Sequence, residues 1–143
     1  KECEIGIQSI ESLKKRFLIG LHIRENGELP SGEKFIAVVK KLEKFNPLGI
    51  IASCVSVENL GQITKDIKRI KVPFGFKINA FEHIPAGWKP DANNPKVQLG
   101  SRHDLNPQKF LKICKKLSKL GAKIIGGCCE ITPSHIKELK KML

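Results

Sequence analysis

The chain has 143 residues, enough for one compact domain with a core of its own, and its 41% hydrophobic and 28% charged content belongs to a folded protein rather than a disordered one. No apolar run approaches the roughly 18–20 residues that cross a bilayer and no signal-peptide pattern opens the sequence, so a cytoplasmic protein without a membrane partner is expected. The formal charge of +12 raises nucleic-acid binding as a class, but the lysines alternate with apolar residues at helical spacing (KKLEKF, KICKKLSK, KELKKML), no RNA- or DNA-binding motif accompanies them, and zero Tyr with one Trp leaves little to stack on bases.

In chain order, a short helix is expected from about Ile10 to Lys15, then a buried strand over Phe17–Ile23 (FLIGLHI). Phe35, Val38, Val39 and Leu42 share one helical face. A second strand follows over Leu48–Ser53 (LGIIAS), then a helix with Leu60, Ile63, Ile67 and Ile70 inward, then a third strand over Pro73–Ile78 (PFGFKI). The stretch from Asn79 to Asn106 has no periodicity but contains three prolines, two glycines and Trp88. It is longer than the roughly 12–15 residues usual for a structureless loop, so a lid or binding loop is expected there, ordered in part by Gly87-Trp88 and Leu99–Leu105. Asn106 as N-cap and Pro107 at the first helical position open a helix with Phe110, Ile113, Cys114 and Leu117 inward. A fourth strand is expected at Lys123–Gly126, and Thr132-Pro133 opens a last helix that turns Ile136 and Leu139 inward.

Strands and helices alternating in this way are parallel βα units, because parallel neighbours need a crossover. Four such units make half of an eight-unit barrel, which takes about 250 residues in full. A small doubly wound sheet is the other arrangement that this pattern allows.

In such folds the reactive groups gather at the carboxyl ends of the strands. Cys54 follows the second expected strand and Cys128-Cys129 the fourth, after Gly126-Gly127. Five cysteines, an odd number without a secretory signal, point to a reducing compartment where thiols are buried, catalytic or metal-bound. Cys114 reads as a packing residue, and Cys3 lies too near the start to place. Three thiolates form a coherent zinc set that keeps a fourth tetrahedral position open, suited to activating a thiol for alkylation. Spacing alone leaves a buried or redox-active vicinal pair as the alternative, since Cys128-Cys129 is not a CxxC. Asn79, ending the third strand, faces the same edge as a substrate-binding or ligand-orienting candidate, or forms an ordinary Asx turn. None of the four histidines is nominated as a ligand: His22 reads as a core or barrel residue, His135 as exposed, His83 and His103 as loop residues.

The segment IIGGCCEITPSHI, Ile124 to Ile136, resembles the signature of the homocysteine S-methyltransferase family, a GGCC strand end followed by a Thr-Pro-x-His-Ile helix start. GIIASC at Gly49–Cys54 is similar to that family's other cysteine segment, and AGW with NPKVQLGSRHDLNPQKF resembles its preceding loop. The resemblance covers roughly Phe17 to the end. It implies the C-terminal half of a zinc-containing TIM (βα)8 barrel, residues 1–143 forming part of a homocysteine-binding domain that methylates homocysteine to methionine. Carried over by position, the Zn2+ ligands are Cys54, Cys128 and Cys129. Ser53 stands where the family commonly has Asn, and the strands that supply most contacts to the homocysteine amine and carboxylate are not in this chain. The expected partners are homocysteine, a small methyl donor and the missing N-terminal half-barrel in cis, with oligomers open. A noncatalytic zinc-binding half-barrel that needs a partner chain, and a basic nucleic-acid-binding protein, are the alternatives.

Overall fold

The computed structural model describes residues 1–11, 13–24, 26–85, 88 and 95–142. Its elements run α1 (Glu2–Glu11), β1 (Leu18–His22), α2 (Phe35–Leu42), β2 (Gly49–Val55), α3 (Leu60–Thr64), β3 (Phe74–Ile78), α4 (Pro95–Leu99), α5 (Pro107–Lys119), β4 (Ile124–Gly127) and α6 (Pro133–Leu139). The strands form one all-parallel sheet in the order β1-β2-β3-β4. This is an α/β fold of parallel strands alternating with helices, as the periodicity predicts.

Register sorts the strand residues onto two faces, because successive side chains in a strand point opposite ways. Ile19, Leu21, Ile50, Ala52, Phe74, Phe76 and Ile78 are buried with the inner faces of the helices, among them Val38, Val39, Leu42, Ile63, Phe110, Cys114 and Leu117. Phe74 meets Phe76 edge-on at 5.1 Å and tilts against Phe35 at 5.5 Å. Each such aromatic, fully buried, contributes about 1.5–3 kcal/mol relative to exposure. On the opposite face Leu18, Gly20, His22 and Lys77 remain exposed. The helices therefore cover one side of the sheet and leave the other open, with His22 on the open side rather than in the core.

Several expectations are corrected. The first helix occupies Glu2–Glu11, not Ile10–Lys15, because Ile7 and the partly buried Cys3, one turn apart, supply its inward face, while Lys14 takes a left-handed φ of 49°. The helix expected through Ile70 ends at Thr64 and resumes as a 3-10 turn at Ile67–Arg69. Asp66 N–H donates to the Ile63 carbonyl, which tightens the chain and still keeps Leu60, Ile63 and Ile67 buried. The long segment after β3 is not without structure: it contains α4, and Ala80, Phe81, Leu99 and Leu105 are buried. Trp88 Nε1 donates to Gln98 Oε1 at 3.0 Å, while Gly87, the other residue expected to order this stretch, lies outside the described residues.

The last helix is rotated from its expected phase. His135 is buried at 7% exposure and Ile136 is exposed at 45%, the reverse of the sequence reading. The cap sets this rotation. His135 Nδ1 accepts from Thr132 N–H at 3.2 Å, so the ring reaches back over the helix start as Glu or Gln does in a capping box. A carbonyl can only accept, so His135 Nε2 carries the proton donated to the Leu105 oxygen at 2.7 Å. The ring also stands edge-on to Phe110 at 5.6 Å, and this joins α6 to α5.

Candidate metal centre

β2 and β4 flank β3, and their carboxyl ends bring the three strand-end thiols together. Cys54 Sγ lies 3.8 Å from Cys129 Sγ, Cys128 Sγ lies 3.9 Å from Cys129 Sγ, and all three sulfurs lie within 4.8 Å of one another. Thiolates bound tetrahedrally to zinc at about 2.3 Å stand about 3.8 Å apart, so these side chains are already near the separation that the ion requires. Among the described residues, this is the group of His, Cys, Asp and Glu side chains that could hold a metal ion.

The local backbone explains how the sulfurs converge. Cys54 does not follow β2 but lies within it, as the extra residue of a bulge: Ser53 pairs with Lys77 and Val55 with Ile78. It takes a φ of 54°, a left-handed conformation uncommon outside glycine, and a bulge there re-aims the side chain. Asn79 holds it. The fully buried Asn79 amide donates from Nδ2 to the Cys54 carbonyl at 2.7 Å and approaches Cys54 Sγ at 3.8 Å, while Oδ1 accepts from Phe81 N–H at 3.3 Å. Asn79 is thus both an Asx turn and a clamp on a metal-ligand candidate.

The Cys128-Cys129 turn is pinned as firmly. Cys128 N–H donates to the Ile78 carbonyl at 2.8 Å, Ala80 N–H to the Cys129 carbonyl at 2.9 Å, and Ile131 N–H to the Cys128 carbonyl at 3.1 Å. Glu130 takes a φ of 63° to close the turn. Ile131 folds back so tightly that a Cβ at Gly127 would collide with it, whereas a Cβ at Gly126 would meet nothing within 4 Å. Only Gly126 leaves room on the open face; Gly127 serves the turn.

Residues that the sequence reading did not single out complete the wall. Ser101 Oγ donates to Glu130 Oε2 at 2.8 Å, next to Cys129. Arg102 N–H donates to the Ala80 carbonyl at 3.0 Å, and its guanidinium joins Glu58 at 2.6 Å and Asp104 at 2.8 and 2.9 Å. Residues 99–105 therefore strap across the ends of β2, β3 and β4. The sequence marked Leu99–Leu105 as ordering this loop, but the alternation of charge in SRHD does not reveal which strand ends the charges reach. His83 and His103 are exposed in this region.

The thiols share protons unevenly. The neighbouring Cys54 thiol holds the Cys128 thiol down at about 5, so Cys128 is the thiolate of the group at neutral pH. Cys54 is pushed well above the ordinary thiol range, first by the neighbouring Cys128 and then by burial. Cys129 is raised by burial and by the neighbouring Cys128 charge. Cys114 lies on the inner face of α5, where burial lifts it to about 12, as fits an inert packing thiol. The arrangement at the strand ends is one preformed anion with two further sulfurs in place, a soft donor set suited to zinc or a similar thiophilic cation.

The homocysteine S-methyltransferase family model matches residues 1–143. The chain is 30% identical over 135 residues to "Homocysteine S-methyltransferase 2" of Saccharomyces cerevisiae, a match that covers 89% of this chain and 39% of that relative. With the GGCC turn, its capped helix start and the converging thiols in place, the chain belongs to the homocysteine S-methyltransferase family.

Proposed function

We propose that this chain is the zinc-bearing C-terminal half of a (βα)8 barrel that transfers a methyl group to the thiol of homocysteine, forming methionine. The observation that carries the reading is the convergence of Cys54, Cys128 and Cys129 from two strand ends at spacings suited to one tetrahedral ion. Zinc in that position supplies Lewis acidity that keeps an acceptor sulfur deprotonated yet nucleophilic near neutral pH.

The chain's own residues prepare and protect that chemistry. Cys128, already the thiolate, with Cys54 and Cys129 would hold the ion, and those two would each release a proton to solvent on binding it. Asn79 contributes to the acceptor's site through Cys54, as a positioning residue whose amide fixes the bulge that aims the sulfur. The space beside Gly126 admits the acceptor from the open face. In the transfer, the acceptor sulfur forms the new S–CH3 bond while the donor's bond to that methyl breaks and the donor departs with the electron pair. No enzyme group is methylated. The donor is a small molecule with an activated methyl: a sulfonium, a betaine or a methylated folate.

The test is metal analysis and turnover with the barrel complete. The expected result is one zinc per chain, lost to well below that in Cys128→Ser and Cys54→Ser, with methionine formed from homocysteine and one of these donors. Zinc content unchanged by both substitutions would overturn the metal assignment. Zinc retained with no methionine from any donor would favour the noncatalytic zinc-binding module instead.

A further inference from the structure

One residue below the thiols, the open face carries a polar row with a lone lysine in it. His22 pairs in register with Ser53, Ser53 with Lys77, and Lys77 with Gly126, and residues so paired point to the same side. Lys77 belongs to β3, the strand between the two whose ends bring the cysteines together. Asn79, the next residue up the same face, approaches Cys54 Sγ at 3.8 Å, and the Ile78 carbonyl between them accepts the Cys128 N–H. Lys77 therefore stands under the sulfur group, with ligand candidates to either side. Gly126 beside it presents no side chain, and a Cβ there would meet open space. Barrel strands usually fill such a position with a branched apolar side chain.

What lies opposite this charge decides its meaning. None of the four strands contains an Asp or Glu, and no ion pair among the described residues involves Lys77. His22, the other titratable side chain of the row, supplies no anion in either of its protonation states. The anions above the row are thiolates: Cys54 does most to hold the Cys128 thiol low, and the Lys77 charge adds to it through space. We infer that Lys77 is the counter-charge of the metal centre, an ammonium that offsets the net negative charge of three thiolates on a divalent ion. An ammonium has no lone pair to give, so Lys77 is not a fourth ligand; it acts through the sulfurs, as a positioning residue. In the half-barrel reading the open face becomes an interior, where an ammonium without an anion is strongly disfavoured and an anionic centre without a cation equally so. Each relieves the other. The inference rests on the zinc reading above and adds to it a group that sets how tightly the ion is held. The same charge eases entry of a further thiolate into the open position, which would bring a second net negative charge.

The experiment measures zinc affinity by competition with a chromophoric chelator, at one pH and ionic strength, in the protein with its barrel complete. Lys77→Met and Lys77→Gln remove the charge with an apolar and a polar side chain. Both should weaken zinc by roughly tenfold, the scale of one charge interaction in a partly solvated site, and Lys77→Arg should recover most of that loss. Cobalt put in place of zinc should give the same thiolate-to-metal absorption bands in wild type and all three variants, because ligands and geometry do not change. Undiminished affinity in the neutral variants overturns the counter-charge and leaves the metal centre standing. A loss that Lys77→Arg does not repair, or altered cobalt bands, overturns it too, since Lys77 would then act through shape. A wild-type protein that binds no zinc overturns the metal reading and the counter-charge with it.

Discussion

At the scale of single residues, the identity of the thiols was legible and their conformation was not. Cys54, Cys128 and Cys129 are found from their places at strand ends, but no sequence signature marks Cys54 as a left-handed bulge residue, because a lone cysteine carries none of the glycine or asparagine preference that betrays such a position. The proton distribution among the thiols gives a first prediction. With Cys128 held at about 5 and the other two raised, metal binding at neutral pH releases about two protons, so affinity rises with pH, roughly a hundredfold per unit. Below pH 5 Cys128 is protonated as well, and the slope steepens to about three protons. Zinc competition with a chromophoric chelator across pH 4.5–8 measures this slope, and a flat profile would mean that the three thiols do not bind together.

His135 is the other residue whose role only the fold reveals. Its helix offers barely two turns of periodicity, too few to distinguish a phase with Ile136 inward from one with His135 inward. The ring's bonds to Thr132 and to the Leu105 carbonyl decide the matter. Removing it leaves a buried carbonyl unsatisfied and the cap open, at a cost of about 2–3 kcal/mol. His135→Ala should therefore lower the denaturant midpoint clearly, while His135→Gln, which keeps an acceptor for the Thr132 N–H, should recover part of the loss.

At the scale of elements, legibility followed length and chemistry of the caps. α5 was readable because Asn106 accepts from Lys109 N–H at 2.9 Å, Pro107 stands at the first position, and three turns of alternation follow. The strands were readable as short apolar runs bounded by turn signals, although only one face of the sheet is covered by helices. The segment from 99 to 105 was legible as an ordering stretch but its partners were not, since its order comes from long-range bonds: Arg102 to Glu58, Arg102 N–H to Ala80, Ser101 to Glu130. Local pattern cannot encode partners that lie on other strand ends. If these bonds act as a strap, Arg102→Ala should increase amide hydrogen exchange over residues 99–105 while leaving β3 protected, and should weaken zinc binding severalfold through the loosened Ser101–Glu130 tie. Unchanged exchange in that segment would show that Leu99 and Leu105, both buried, anchor it without the arginine.

At the scale of the whole molecule, the sheet has one covered face and one open face, and both β1 and β4 are edge strands. Lys40 and Lys41 of α2 and Lys109, Lys112, Lys115, Lys116 and Lys119 of α5, which carry part of the chain's positive charge, are exposed on the outer side of the helices. They say nothing about the open face, which carries Leu18 at 50% exposure, Ile124 and the polar row around Lys77. The parallel topology and these two free edges were predictable from βα alternation, whereas closure into a barrel is not encoded in four strands. In the half-barrel reading, the edges pair with strands outside these 143 residues, and the open face becomes the barrel interior. The chain on its own would then expose two unpaired strand edges beside an apolar patch, which favours association. Light scattering after size exclusion should accordingly show the 143-residue chain as dimers or larger species that bind a hydrophobic dye, and the completed barrel as a defined species with little dye binding. A stable monomer of 16.0 kDa that binds no dye would count against the half-barrel and in favour of a self-sufficient four-stranded sheet.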